Sequence, residues 1–227
     1  MGARFGVRTA ALAALLALGA GAPAVHAEEG ATLSALRLAY QREVNAQWRS
    51  FASSMQARRD AQPEAAALLR AIAHGEAVHA ANHRAQLERL GSAVTPEIAS
   101  VIVRSTPENL ADAIAGERRE RDEVYRAFAE CARRECLYEP LASFDYARGA
   151  EATHLALFTA AFERWRQARP EQQLLACAFA DPVLALGVPA PVSATWICPG
   201  CGSAFAERPA HSCRNCGTAG AAFELVR

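Results

Sequence analysis

The chain has 227 residues and a formal net charge of zero, from 24 basic and 24 acidic side chains. That length suits one ordinary domain plus a small one, and the balanced charge leaves no nucleic-acid footprint. Every basic residue is Arg, which with the abundant Ala points to compositional bias rather than to a function.

The N-terminus reads as a targeting segment and is set aside from the fold. Arg4 and Arg8 precede the run TAALAALLALGAGA, which is short for a bilayer span. APAVHA follows, with Val25 and Ala27 at the small-residue positions of a cleavage site. The pattern predicts a signal peptide over 1–27, export to the periplasm, and no stable membrane insertion after cleavage. An uncleaved anchor is the alternative. No Cys lies near the cleavage point, which argues against a lipoprotein.

Four helical segments come next. The first, from about Thr32 to Arg58, repeats Leu33, Leu36, Tyr40, Val44, Gln47, Phe51 and Met55 at steps of three and four, with Glu43 beside the stripe. The second begins near Pro63 and stops at Gly91. Its stripe is Leu69, Ile72, Glu76, His79, His83, Leu87 and Leu90. The third opens at TPEN, with Thr106 as its cap and Pro107 in the first turn. Its stripe runs Leu110, Ile114, Glu117, Arg121, Val124, Phe128 and Cys131, with Glu120 beside it. The fourth, from about Pro140 to Ala168, carries Ala147, Glu151, His154, Phe158, Phe162 and Trp165. An all-α four-helix bundle is expected over 28–168. The connection from Gly91 to Thr106 is long enough for a crossover. The segment 169–195 holds Pro170, Pro182, Pro189 and Pro191 and reads as a linker. From Trp196 to Arg227, Gly and Cys replace helical periodicity.

Charge on an apolar stripe needs a reason, because burying it unpaired is costly. Two stripes carry Glu-x-x-His, as Glu76/His79 and Glu151/His154. Residues i and i+3 share a helix face, so each pair is able to bind one centre, and imidazole with carboxylate suits iron or manganese. One such motif is weak evidence. Here it is repeated: Glu43 precedes the first and Glu117 the second at nearly equal spacing. Glu followed by Glu-x-x-His, twice, is the arrangement of ferritin-like di-iron and di-manganese bundles. Two divalent cations would balance these four carboxylates, which alone would repel one another. Glu120, one turn from Glu117, is a further candidate ligand. The alternative is a bundle of internal ion pairs through Arg84, Arg118 or Arg121. His83 is expected to be a satisfied core histidine or a supporting donor, and His74 to face solvent.

The tail carries Cys198-x-x-Cys201-Gly and Cys213-x-x-Cys216-Gly. Two such knuckles suit a tetrahedral tetrathiolate site for one iron or zinc ion. Two disulfides are the alternative. Cys131, Cys136 and Cys177 lie outside it, either as free thiols or with a 131–136 disulfide.

A di-metal carboxylate bundle followed by a tetrathiolate tail resembles the rubrerythrin family. The similarity runs through AYQREVNAQWRSFA, GEAVHAANH, PENLADAIAGERRERDEVYRAF and GAEATHLALF, then WICPGCG, CRNCG and FELV. It implies a ferritin-like bundle and a rubredoxin-like domain. It further implies that Glu43, Glu76, His79, Glu117, Glu120, Glu151 and His154 hold two iron ions. Cys198, Cys201, Cys213 and Cys216 would hold one more, and Tyr125 matches a supporting tyrosine. The implied activity is reduction of hydrogen peroxide to water, with Glu120 shifting as the irons oxidise. Electrons would be relayed through the tail iron from an unidentified donor. A homodimer is implied, with the tail of one chain often paired to the bundle of another. Ser50 stands where members usually carry a tyrosine, and export would separate the protein from a nicotinamide-linked donor. The competing expectations are a ferroxidase or iron-handling protein, and a non-catalytic metal-binding module with a zinc tail.

Overall fold

The computed structural model describes residues 30–168 and 194–227. The expected signal peptide, nearly all of the expected linker and Cys177 lie outside the described residues. No helix among the described residues is long and apolar enough to cross a membrane.

Helix α1 (Ala31–Arg59) and helix α2 (Pro63–Arg89) form an antiparallel hairpin across a tight turn. Gly91, just past α2, has φ 72°, the left-handed conformation that ends a helix at little cost only for Gly. The next segment is the expected crossover. It climbs along α1: Arg37 donates to Ser92 Oγ, Gln41 is paired with Glu97, and the Ala99 N–H donates to Asn45. Those α1 partners are four residues apart, so they line one face. The chain is thereby returned to the end of the bundle where α2 began. Helix α3 (Thr106–Arg119) starts there and runs parallel to α2. A π-helical turn (Glu120–Val124) joins it to α4 (Tyr125–Arg134), and α5 (Tyr138–Ala168) returns. The up-down-down-up order is that of a ferritin-like bundle.

Several local expectations are corrected. Ser105, not Thr106, caps α3, in a capping box with Glu108. Thr106 instead donates through both N–H and Oγ1 to Asp60 Oδ2, at 2.9 and 2.7 Å. The end of α1 therefore ties down the start of α3. On α1, Phe51 and Met55 are exposed, while Ser50, Ser53, Ser54 and Ala57 are buried. The small face turns inward because α2 already fills the space: Leu68, Leu69 and Ile72 pack in one cluster with Ala57. The third segment is not one continuous α-helix, since the π turn interrupts it. Cys131 and Cys136 are free.

Two apolar clusters fill the bundle. One joins Leu68, Leu69, Ile72, Leu110, Phe158 and Phe162. The other joins Leu36, Tyr40, Leu87, Tyr125, Phe128 and Phe144. The tail is a small three-stranded antiparallel sheet in the order β2-β1-β3, from β1 (Thr195–Ile197), β2 (Ala204–Phe205) and β3 (Glu224–Val226). Ile197 and Ala204 belong to the first bundle cluster. The tail thus packs on the bundle. Asp60→Ala removes the tertiary cap of α3. It is expected to destabilise the fold by about 1–2 kcal/mol, read as a lower melting temperature with metal loading intact.

Candidate metal centres

The polar residues of the bundle form one layer between the two apolar clusters. Glu43 comes from α1, Glu76 and His79 from α2, Glu117 from α3, and Glu151 and His154 from α5; all six are buried. Their ligand atoms fall into two overlapping groups. Glu43, Glu76, His79 and Glu151 converge within 4.8 Å of one another, as do Glu76, Glu117, Glu151 and His154. Glu76 and Glu151 belong to both groups. Glu43 and His79 would join them in holding one cation, and Glu117 and His154 in holding another.

The donor atoms fit cations better than they fit each other. His79 Nδ1 lies 2.9 Å from Glu76 Oε2 and 3.1 Å from Glu151 Oε1. Yet none of these three buried atoms has a partner in hydrogen-bonding geometry. Close lone pairs without directed hydrogen bonds are what a metal ion satisfies. The local electrostatics ask for positive charge too. Burial would lower the His79 pKa, but Glu151, Glu43 and Glu76 outweigh it and hold it well above the usual value. His154 behaves likewise, with burial outweighed by Glu76, Glu117 and Glu151. Burial and the neighbouring Glu151 push Glu117 well up.

Glu120 does not join either group. Arg42 of α1 holds its carboxylate, with Nε 3.2 Å from Oε2 and Nη2 on Oε1. Burial raises its pKa to about 7 against the pull of Arg42, with Glu43 adding to the rise. The sequence reading missed Arg42, because it sits beside the stripe and its partner lies on another helix. Arg84 pairs with Glu88 and Arg121 with Asp122 instead of with the site.

Tyr125 enters through the π turn. An α-helix advances about 100° per residue, so eight residues after Glu117 the chain would point about 80° off the Glu117 face. A π turn advances less per residue, and Tyr125 comes back into the site, where its hydroxyl donates to Glu43 Oε1. Burial and Glu43 hold its pKa well above the usual value, so it keeps its proton. A cavity of about 310 Å³ reaches the carboxylates from the side of Arg42, Ser50 and Glu120. Ser50 leaves room there that a larger side chain would fill.

In the tail, all four cysteine sulfurs lie within 4.8 Å of one another. Cys198 and Cys216 are 3.5 Å apart, and Cys201 and Cys213 are 3.6 Å apart. A tetrahedral site with metal–sulfur bonds of about 2.3 Å has sulfur edges of about 3.8 Å, whereas a disulfide needs about 2.05 Å. The separations fit the metal, and all four are free cysteines. The knuckles repeat one backbone pattern. Cys198 N–H donates to Ser203 O and Cys213 N–H to Thr218 O; Gly202 and Gly217 return to Cys198 O and Cys213 O. A hydrogen bond from Cys201 lowers the Cys198 pKa to about 4 and raises that of Cys201.

The tail closes over the histidines. His154 Nε2 donates to Gly202 O at 3.0 Å, which leaves Nδ1 facing Glu76, Glu117 and Glu151. Gly202 follows Cys201 directly, so the backbone beside the four-sulfur group reaches His154. Asn82 holds Gly200 O, Thr153 Oγ1 accepts from Ala204 N–H, and Asn215 holds Tyr146 O. His74, expected to face solvent, is 2.8 Å from Glu224 of β3.

Fold and site together define a di-metal carboxylate bundle carrying a four-cysteine metal cluster. The rubrerythrin family model matches residues 34–162, and the chain belongs to that family of oxidoreductases. It is 28% identical over 190 residues to Rubrerythrin-2 of Clostridium acetobutylicum, covering 82% of this chain and 91% of that one. Nigerythrin in a mixed-valence state superposes with a TM-score of 0.70 at 21% identity, covering 90% of each chain. The fully reduced, all-ferrous nigerythrin gives the same score over 88% of this chain and 89% of that one.

Because Glu76 and Glu151 belong to both groups, Glu76→Gln or Glu151→Gln is expected to weaken both cation positions together. Glu120→Gln should leave two ions bound. Metal analysis after dialysis at fixed free metal distinguishes these outcomes. Protons compete for the same atoms, so loading of the native protein should weaken as pH falls below neutrality.

Proposed function

We propose that the protein is a peroxide reductase of the rubrerythrin type, with iron in the bundle and a redox-active iron in the tail. The observation that carries this reading is the carbonyl of Gly202. It accepts from His154 while its neighbour Cys201 is part of the four-sulfur cluster. A purely structural tail has no need to orient a buried histidine of the other cluster. Outer hydrogen bonds of this kind fix which imidazole nitrogen is free to ligate.

Two iron ions held by the six bundle residues would supply the two electrons, and the Lewis acidity, that reduction of hydrogen peroxide to water requires. The chain supplies the rest. The cavity at Ser50 admits a small polar substrate to the carboxylate side. Tyr125 presents a hydroxyl proton at the site edge. Glu120, with a pKa of about 7, is able to hold or release a proton near neutral pH on the cavity wall. Two protons must reach the oxygens for each peroxide reduced; Glu120 lines the cavity, and Tyr125 stands on the buried side, behind Glu43. The proposal includes export after Ala27, a reductant met outside the cytoplasm, and a homodimer as the working assembly.

Two measurements test it. Peroxide consumption by the reduced protein is expected to fall at least 100-fold in Glu76→Ala and Glu151→Ala; full activity in both variants overturns the reading. The relay is tested with Gly75→Ala. A Cβ at Gly75 would lie 2.8 Å from Gly202 O and 2.9 Å from His154 Nε2, so it pushes the tail away. Ala is otherwise the better helix residue by about 1 kcal/mol. The tail also seals an apolar cluster through Ile197 and Ala204, so the variant is expected to melt at a lower temperature but stay folded, with peroxide oxidising the tail iron more slowly, read from its visible absorption against the metal content measured on the same sample. A colourless zinc tail in the native protein would remove the relay.

A further inference from the structure

His83 was singled out with Glu76 and His79, yet it joins neither ligand group. It sits fully buried on α2 between two hydroxyls. Its Nε2 is 2.9 Å from Tyr125 Oη, and its Nδ1 is 2.9 Å from Ser143 Oγ on α5. Tyr125 in turn reaches Glu43. Ser143, His83, Tyr125 and Glu43 are all buried. They form one unbroken chain of hydrogen bonds through four helices, ending on a carboxylate of the metal site.

The direction of that chain follows from the donor inventory. Glu43 as a carboxylate only accepts, so Tyr125 spends its one proton on Glu43. Tyr125 Oη is then an acceptor toward His83, and Nε2 must carry the imidazole proton. Nδ1 is left with a lone pair, which the Ser143 hydroxyl satisfies. Each proton of the file is used once. We propose that His83, held as its Nε2–H tautomer with the Ser143 hydroxyl donating to Nδ1, is a positioning residue that keeps the Tyr125 hydroxyl a donor toward the metal site.

The opposite tautomer would make Nε2 an acceptor. It would draw the Tyr125 proton away from Glu43 and into the core, where no substrate oxygen can use it. Burial supports the assignment by lowering the His83 pKa to about 4, so the ring stays neutral with one proton to place. The catalytic consequence rests on the peroxide-reductase reading; the tautomer does not.

The test uses the full chain loaded with Zn²⁺, a diamagnetic probe, and labelled with ¹⁵N in histidine. Long-range ¹H–¹⁵N spectra at pH 7 are expected to show His83 as a single Nε2–H tautomer. An Nδ1–H tautomer or an imidazolium overturns the proposal. In Ser143→Ala the preference is expected to weaken to a mixture; an unchanged single tautomer overturns the part assigned to Ser143. In the iron-loaded protein, His83→Phe is expected to slow peroxide reduction about 10-fold or more. His83→Gln keeps an N–H able to reach Tyr125 and should recover to within about threefold of the native rate. Equal rates for His83→Phe and the native protein overturn the catalytic consequence. A native protein that shows the Nε2–H tautomer but reduces no peroxide upholds the positioning role and sinks the peroxide reading instead.

Discussion

Four carboxylates and two imidazoles occupy the middle of an apolar bundle, and their demand for positive charge constrains everything around them. Isolated buried carboxylates are expelled or protonated. Here the four carboxylates are buried beside two imidazoles, and the six residues converge in two groups that share Glu76 and Glu151. Two cations held by these residues would balance the four carboxylates with few ligands, in a thin polar layer. The apolar clusters can then close on both sides of it.

The two flanks of that layer are built differently. On one flank Arg42 engages Glu120 and the cavity opens past Ser50. On the other, Tyr125, His83 and Ser143 form a buried hydrogen-bonded file. An open flank and a buried, oriented flank suit a site that must admit a small polar reactant while controlling where protons point. The second flank depends on the π turn. Without it, Tyr125 would not come back to the face that carries Glu117.

The tail adds a third boundary. Gly75 and Gly202 meet so closely that neither tolerates a side chain, and this contact lets a backbone carbonyl reach His154. The four-cysteine cluster therefore bears on the bundle through geometry as well as through covalent continuity. The small strands do little else: Ile197 and Ala204 seal the apolar cluster beneath, and the rest of the tail encloses the sulfurs.

By itself the sequence determined which residues share a face. Glu76 with His79, Glu151 with His154, and the two Cys-x-x-Cys-Gly knuckles are set by local spacing, because helical and turn geometry repeat over three or four residues. The four helical segments were legible for the same reason and the crossover from the length of its connection, but the π turn that splits the third segment was not. Which faces meet was decided only by packing. The inward turn of Ser50, Ser53 and Ser54 in place of Phe51 and Met55, the grip of Arg42 on Glu120, the file through His83 and Ser143, and the tail carbonyl on His154 all join residues far apart in the chain. No local period carries such contacts. They exist because side-chain volumes and hydrogen bonds must be satisfied together, and only the folded molecule settles that.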